Sequence, residues 1–113
     1  MRIAVASDGL DVAQHFSQCL NFNYYTTQSY QIVDSQNIPA QGLSAEEYAQ
    51  LMEGIGVDAL IGNNISPDAQ EAFSLRGIDI VSPASGRAID AAAAYIDRCA
   101  DVLVADVPQD DDE

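Results

Sequence analysis

Residues 56–81 read "GVDALIGNNISPDAQEAFSLRGIDIV", and how this stretch is parsed decides the fold. "VDALIG" is a short apolar run with the composition of a buried strand, closed by glycine and two asparagines. "SPDAQEAFSLRG" opens with Ser66 as a helix cap, Pro67 at the first helical position and Asp68 where the helix dipole favours an acid; Gly77 ends it. "IDIV" (78–81) is a second apolar run. Strand, helix and strand in that order form a crossover unit, which joins parallel strands.

Upstream, "SAEEYAQLMEGIG" (44–56) places Ser44 three residues before Glu47, a capping box. Tyr48, Leu51, Met52 and Ile55 fall on one predicted helical face, and Gly56 stops the helix. Further upstream, "RIAVAS" (2–7) reads as a buried strand ended by "DG". "NFNYYTTQ" (21–28) and "YQIVDS" (30–35) suit an antiparallel pair with a tight connection. Downstream, "GRAIDAAAAYIDRC" (86–99) is a third helix with Ile89, Ala92, Ala93 and Ile96 at core spacing. "DVLVADVP" (101–108) adds at most a short extended segment. The like-charged end cannot bury anything, so residues 1–106 are assigned to one domain and 107–113 to an acidic flexible tail.

The order β, β, β, α, β, α, β, α predicts a single-domain α/β fold, a five-stranded mixed sheet with helices on both faces. Loops at the C-terminal ends of its parallel strands gather along one edge, where open α/β sheets bind ligands. Those loops are "SDGLDVAQHFSQC" (7–19), "GNNIS" (62–66) and "SPASG" (82–86). They bring His15, Cys19, Asn63, Asn64, Ser82 and Ser85 to that edge, with Gly86 and Arg87 beside them at the start of the third helix.

Charge narrows the function classes. Eighteen acids against four bases give a net charge of −14 over 113 residues, and only four of those acids lie in the terminal "DDDE". Such a surface repels phosphate backbones and anionic lipids, so nucleic acid and membrane are not expected partners. The apolar runs are too short to span a bilayer and the N-terminus lacks the pattern of a signal peptide; the cytoplasm is the expected compartment. Cys19 and Cys99, the only cysteines, are expected as free thiols, with Cys99 a buried structural one.

His15 is the only histidine and stands four residues before Cys19. Imidazole and thiolate are good ligands for iron, copper and zinc, but two ligands do not fill a coordination sphere. The competing reading makes His15 a hydrogen-bonded loop residue and Cys19 a packing residue. Asn63, Asn64 and Ser66 precede a helix whose free N–H groups can hold an anion, although Asn and Ser are also common turn and cap residues. Asp8 and Asp11 are the only acids near the first strand's end, short of the convergent carboxylates a two-metal nuclease needs. The chain also lacks a nucleophile–base constellation.

"MRIAVASDG" leading to "HFSQCLNFNYY" resembles the opening of the dinitrogenase iron–molybdenum cofactor biosynthesis family, in which a His-Phe-Gly motif follows the first strand. "GVDALIGNNISPDAQEAFSLRGIDIV" is similar to that family's Gly-Asn-Ile-Gly-Pro segment with its helix and strand, and "PASGRAIDAAAAYI" completes a likeness covering roughly residues 1–98. The resemblance implies a ribonuclease H-like sheet of order 3-2-1-4-5 with strand 2 antiparallel. It also implies a non-catalytic role in binding or delivering metal–sulfur clusters of iron and/or molybdenum, including cofactor precursors, with a possible protein partner in cluster assembly. His15 and Phe16 fall on the motif histidine and phenylalanine, and His15 with Cys19 become the expected metal ligands. Asn63, Asn64, Ser66, Ser85, Gly86 and Arg87 become the expected cluster-binding set. Ser17, Asn63 and Ser66 replace glycines of the pattern, which removes places where bare backbone approaches a ligand closely. That replacement supports a second reading, a cofactor-free interaction or regulatory module on the same fold.

Overall fold

A computed structural model describes the backbone of residues 1–111 and the side chains of residues 1–99. The elements are β1 (Arg2–Asp8), β2 (Asp11–Val12), a 3-10 turn (Phe16–Gln18), β3 (Asn21–Gln28), β4 (Gln31–Pro39), α1 (Ala45–Gly54), β5 (Ala59–Ile61), α2 (Pro67–Ser74), β6 (Asp79–Val81) and α3 (Ala88–Asp111). The sheet runs β4-β3-β1-β5-β6, with β2 attached to β1. β1, β5 and β6 are parallel, while β3 is antiparallel to both β1 and β4. The expected strand order and the antiparallel second long strand are therefore present.

Among the described residues the strand count is corrected from five to six. Asp11–Val12 folds back on the end of β1, pairing Ser7 with Val12 and Asp8 with Asp11. Two residues are too few to show an alternating pattern, so the segment reads as loop in the sequence. The stretch 101–108 is likewise helical backbone, a continuation of α3, and the assigned acidic tail reaches beyond the described residues.

Alternation along β1 divides the core. Ala4 and Ala6 face α1 and α2 among Phe22, Tyr48, Met52, Leu60 and Phe73. Ile3 and Val5 face α3 among Ile61, Ala88, Ala92 and Ile96. Helices thus lie on both faces. On α3 the buried stripe is Ala88, Ala92 and Ile96, while Ile89 and Ala93 are exposed. On α1 it is Tyr48, Ala49 and Met52, with Leu51 exposed. On α1 three of the four expected residues pack on the core, Ile55 partly buried, and only Leu51 turns out; α3 is rotated so that Ala88 takes the place expected of Ile89. The capping box at Ser44 and Glu47 and the Ser66–Pro67 helix start form as expected.

Candidate functional site

The edge is built from the end of β1. Gly9 turns the chain with φ of 71°, and the turn is clamped from β3: its N–H donates to Asn21 Oδ1 at 2.7 Å, and its carbonyl accepts from Nδ2 of both Asn21 and Asn23 at 3.0 Å. Asn23 Nδ2 also donates to Ser7 Oγ at 3.0 Å. Ser7, Asn21 and Asn23 are buried, so this polar network organises the loop from within. The two asparagines are not among the expected site residues. Their signal is the N-x-N spacing in "NFNYY", which puts two amides on one face of a buried strand.

Beyond β2 the chain enters the 3-10 turn, and Phe16 drops into the core. Its ring lies 6.1 Å from Phe22, 6.1 Å from Tyr48 and 5.9 Å from Phe73 in edge-to-face contacts. Phe16 is the pivot of the "HFSQC" segment. His15 before it is exposed and lines a hollow of about 370 Å³ with Asp8, Asp11, Gln14 and Gln18. Cys19 after it is half-buried and lines a separate hollow of about 320 Å³ with Ser17, Ser44, Tyr48, Asn64 and Ser66.

Asn63 joins all three loops. Its Nδ2 donates to Ala13 O at 3.1 Å and to Ala84 O; its Oδ1 accepts from Ala84 N–H at 2.6 Å; its carbonyl accepts from Phe16 N–H at 2.9 Å. Asn64 takes the left-handed conformation, φ 51°, and its Nδ2 donates to Gln14 O at 2.6 Å. Asn tolerates that conformation better than most residues. Ser66 Oγ accepts from Ala69 N–H at 3.2 Å, capping α2. Beyond the Asn63 bonds to Ala84, the third loop is tied by backbone: Val12 N–H donates to Gly86 O and Ala88 N–H to Leu10 O, both at 2.8 Å.

The expected residues therefore separate into groups. Cys19, Asn64 and Ser66 share one hollow between the first turns of α1 and α2. His15 lies in the acidic neighbouring hollow. Ser85 lines a third hollow, of about 680 Å³, with Ile61, Ile80, Ser82 and Arg98. Gly86 and Arg87 are exposed and engage β2 through the backbone. Cys99, expected to be buried, is half-exposed.

Electrostatics distinguish the donors. Burial, reinforced by the charge of Asp8, pushes the Cys19 thiol up to about 11, so at neutral pH it is protonated and a metal must displace the proton to bind it. Among the described residues no three His, Cys, Asp or Glu side chains gather closely enough to hold a metal ion. An incoming metal would have to bring most of its own ligands, as a sulfide-bridged cluster does.

The architecture and this stitched loop edge define an α/β protein with a junction of three loops at the C-terminal ends of its parallel strands. The chain belongs to the family described as dinitrogenase iron-molybdenum cofactor, whose sequence pattern matches residues 1–98, all three loops included. Among solved structures it is similar to MJ0327 of Methanococcus jannaschii (22% identity over 86% of this chain and 87% of that one, TM-score 0.70). It is also similar to TM1290 of Thermotoga (23%, 83% and 85%, 0.66) and to the apo form of the orange protein of Desulfovibrio gigas (23%, 88% and 87%, 0.66). These likenesses establish the shared fold. No curated protein matches the sequence. No helix among the described residues is long and apolar enough to cross a membrane.

Proposed function

We propose that this protein carries or shields a metal–sulfur species, an iron- and/or molybdenum-containing cluster or cofactor precursor, at its loop edge, without turning over a substrate. The cargo is handed on in the cytoplasm to a protein partner in cluster assembly. His15 is the primary metal donor, since its ring is exposed at the edge. Cys19 is the second donor, engaged only when a metal displaces its proton. Donors around Asn63, Asn64 and Ser66, and around Ser85, Gly86 and Arg87, offset the negative charge of the cluster's sulfides. The observation that carries this reading is the family match across residues 1–98.

The test is iron, molybdenum and sulfide analysis with visible absorption on protein purified anaerobically from its own host, beside His15→Ala and Cys19→Ala. Stoichiometric metal with charge-transfer bands that collapse in His15→Ala supports the reading. A colourless protein that also takes up no cluster offered in vitro sinks it. One observation favours the cofactor-free module instead: Asn63, at a glycine position of the family pattern, fills the loop junction with a side chain bonded to both neighbouring loops.

A further inference from the structure

The charge of this chain is unevenly spread. Between Asp11 and Glu46 the only formally charged residue is Asp34, in a molecule of net charge −14. This uncharged stretch includes β3 and all of β4, so one whole margin of the sheet carries a single charge. Two copies of so acidic a protein repel one another wherever they meet, except along this margin.

β4 is also an open edge. The backbone direction of each residue follows from the ladder: Thr27 N–H donates to Met1 O, and Asp58 N–H to Arg2 O, both at 2.8 Å. Odd residues of β1 therefore turn their backbone groups toward β3 and even ones toward β5. With Ala4 opposite Tyr24 and Tyr24 opposite Gln36, Asp34, Gln36 and Ile38 face β3, in keeping with Ala40 N–H donating to Leu20 O at 2.9 Å. Ser35 and Asn37 turn both N–H and carbonyl outward, and Pro39 only a carbonyl. Bulges and prolines blunt edge strands, but here they sit at the ends: the register shifts at Thr26/Thr27, leaving Val33 as the extra residue, and Pro39 closes the strand. Residues 34–38 between them are regular and exposed or half-exposed. The opposite edge, β6, has three residues and begins with Asp79.

We propose that β4 is a pairing surface for a second copy of this chain, joined antiparallel about a two-fold axis at Gln36. One register pairs every outward group of the regular stretch 34–38. Ser35 opposite Asn37 of the second copy, and the converse, makes four backbone hydrogen bonds and sets Asp34 opposite Ile38, away from its own symmetry mate. Centring on Asn37 instead brings Pro39 opposite Ser35 and loses a donor at each end. Centring on Ser35 brings the bulged Val33 opposite Asn37.

The experiment is sedimentation equilibrium on the full chain at moderate salt, with cross-linking to report register. Gln36 meets its mate as a non-hydrogen-bonded pair with Cα atoms about 4.5 Å apart, within reach of a disulfide. Gln36→Cys is therefore expected to give a covalent dimer under mild oxidation, whereas Val33→Cys and the unsubstituted chain, which retains Cys19 and Cys99, do not. The double variant Ser35→Asp, Asn37→Asp should weaken association by about tenfold or more, since it places acids opposite one another. Gln50→Glu, on the exposed face of α1, adds charge away from the edge and should leave association within about twofold. Circular dichroism confirms that each variant is folded, and Asn37→Pro, which removes an outward N–H, serves if the double variant is not. A protein monomeric at every concentration overturns the proposal. So does a dimer indifferent to both edge variants, or equal cross-linking at positions 33 and 36.

Discussion

The two faces of the sheet are packed by different side chains, and they anchor the loop edge differently. The face under α1 and α2 is aromatic, with Phe16, Phe22, Tyr24, Tyr48 and Phe73 in one cluster. The face under α3 is mainly aliphatic, with Ile3, Val5, Val12, Ile61, Ala88, Ala92 and Ile96 beside one aromatic, Tyr25. The aromatic face takes a central member from the loop itself, since Phe16 lies between His15 and Cys19. The aliphatic face takes only Val12 of its buried members from the loop edge, with Ala84 packed beside it, and the edge is otherwise joined to the start of α3 through backbone bonds at Leu10, Val12, Gly86 and Ala88. The loop that presents His15 is thus folded by the core of one face, and damage to that core should reach the site.

The largest expected effect tests this contrast directly. Phe16→Ala should cost about 3–5 kcal/mol and Ile96→Ala about 2–5 kcal/mol, because each empties a buried position. Their effects on the loop should differ. Phe16→Ala should expose Cys19 to alkylation and lower the hydrogen-exchange protection of residues 15–20, whereas Ile96→Ala should leave both unchanged at temperatures where it is folded. Equal loosening of the loop by both variants would erase the distinction between the faces.

Asn63 is where the faces are coupled, since its amide bonds Ala13 on one side and Ala84, ahead of α3, on the other. Asn63→Ala removes these bonds and leaves backbone groups at the junction unpaired, at an expected cost of about 1–3 kcal/mol by denaturant unfolding. Asn64→Gly gives up one exposed bond but relieves the left-handed backbone, and should cost only a few tenths of a kcal/mol. If both substitutions cost the same, Asn63 is an ordinary turn residue and the loops are held by their backbone alone.

What could be read in advance follows the range of the forces involved. The strand order rests on the family resemblance, whereas parallel pairing is legible because the crossover unit in 56–81 is local and strongly punctuated by Ser66, Pro67 and Gly77. The helix starts were legible for the same reason. The helix faces are legible except at Leu51, Ile89 and Ala93, which turn outward while Ala49 and Ala88 are buried through how each helix sits on the sheet, a tertiary property. The three-loop edge was legible from topology, but its division into hollows depends on Phe16, whose burial turns His15 and Cys19 to different sides. Asn21 and Asn23 are not legible in advance because strand asparagines carry no motif; only the turn at Gly9 gives them a role.

The smallest expected effect concerns Cys19, which packs against the aromatic cluster while its backbone belongs to the loop. Burial first, and then the charge of Asp8, raise its thiol from 9.0 to about 11. A group whose folded value lies above its unfolded one favours the folded state most below the unfolded value. This contribution should therefore be complete below pH 9 and fade as the pH rises from 9 toward 11, when the unfolded chain releases its proton first. At neutral pH the same shift makes the thiolate roughly a hundredfold scarcer than in an unperturbed thiol, so alkylation should be slow and rise steeply only in alkali. Asp8→Asn removes the second cause but not the first, and should move the alkylation profile partway back toward pH 9. A profile unchanged by Asp8→Asn would assign the whole shift to burial by the aromatic face. A profile already near 9 in the unsubstituted protein would mean that the loop opens to water, with Phe16 no longer holding it to the core.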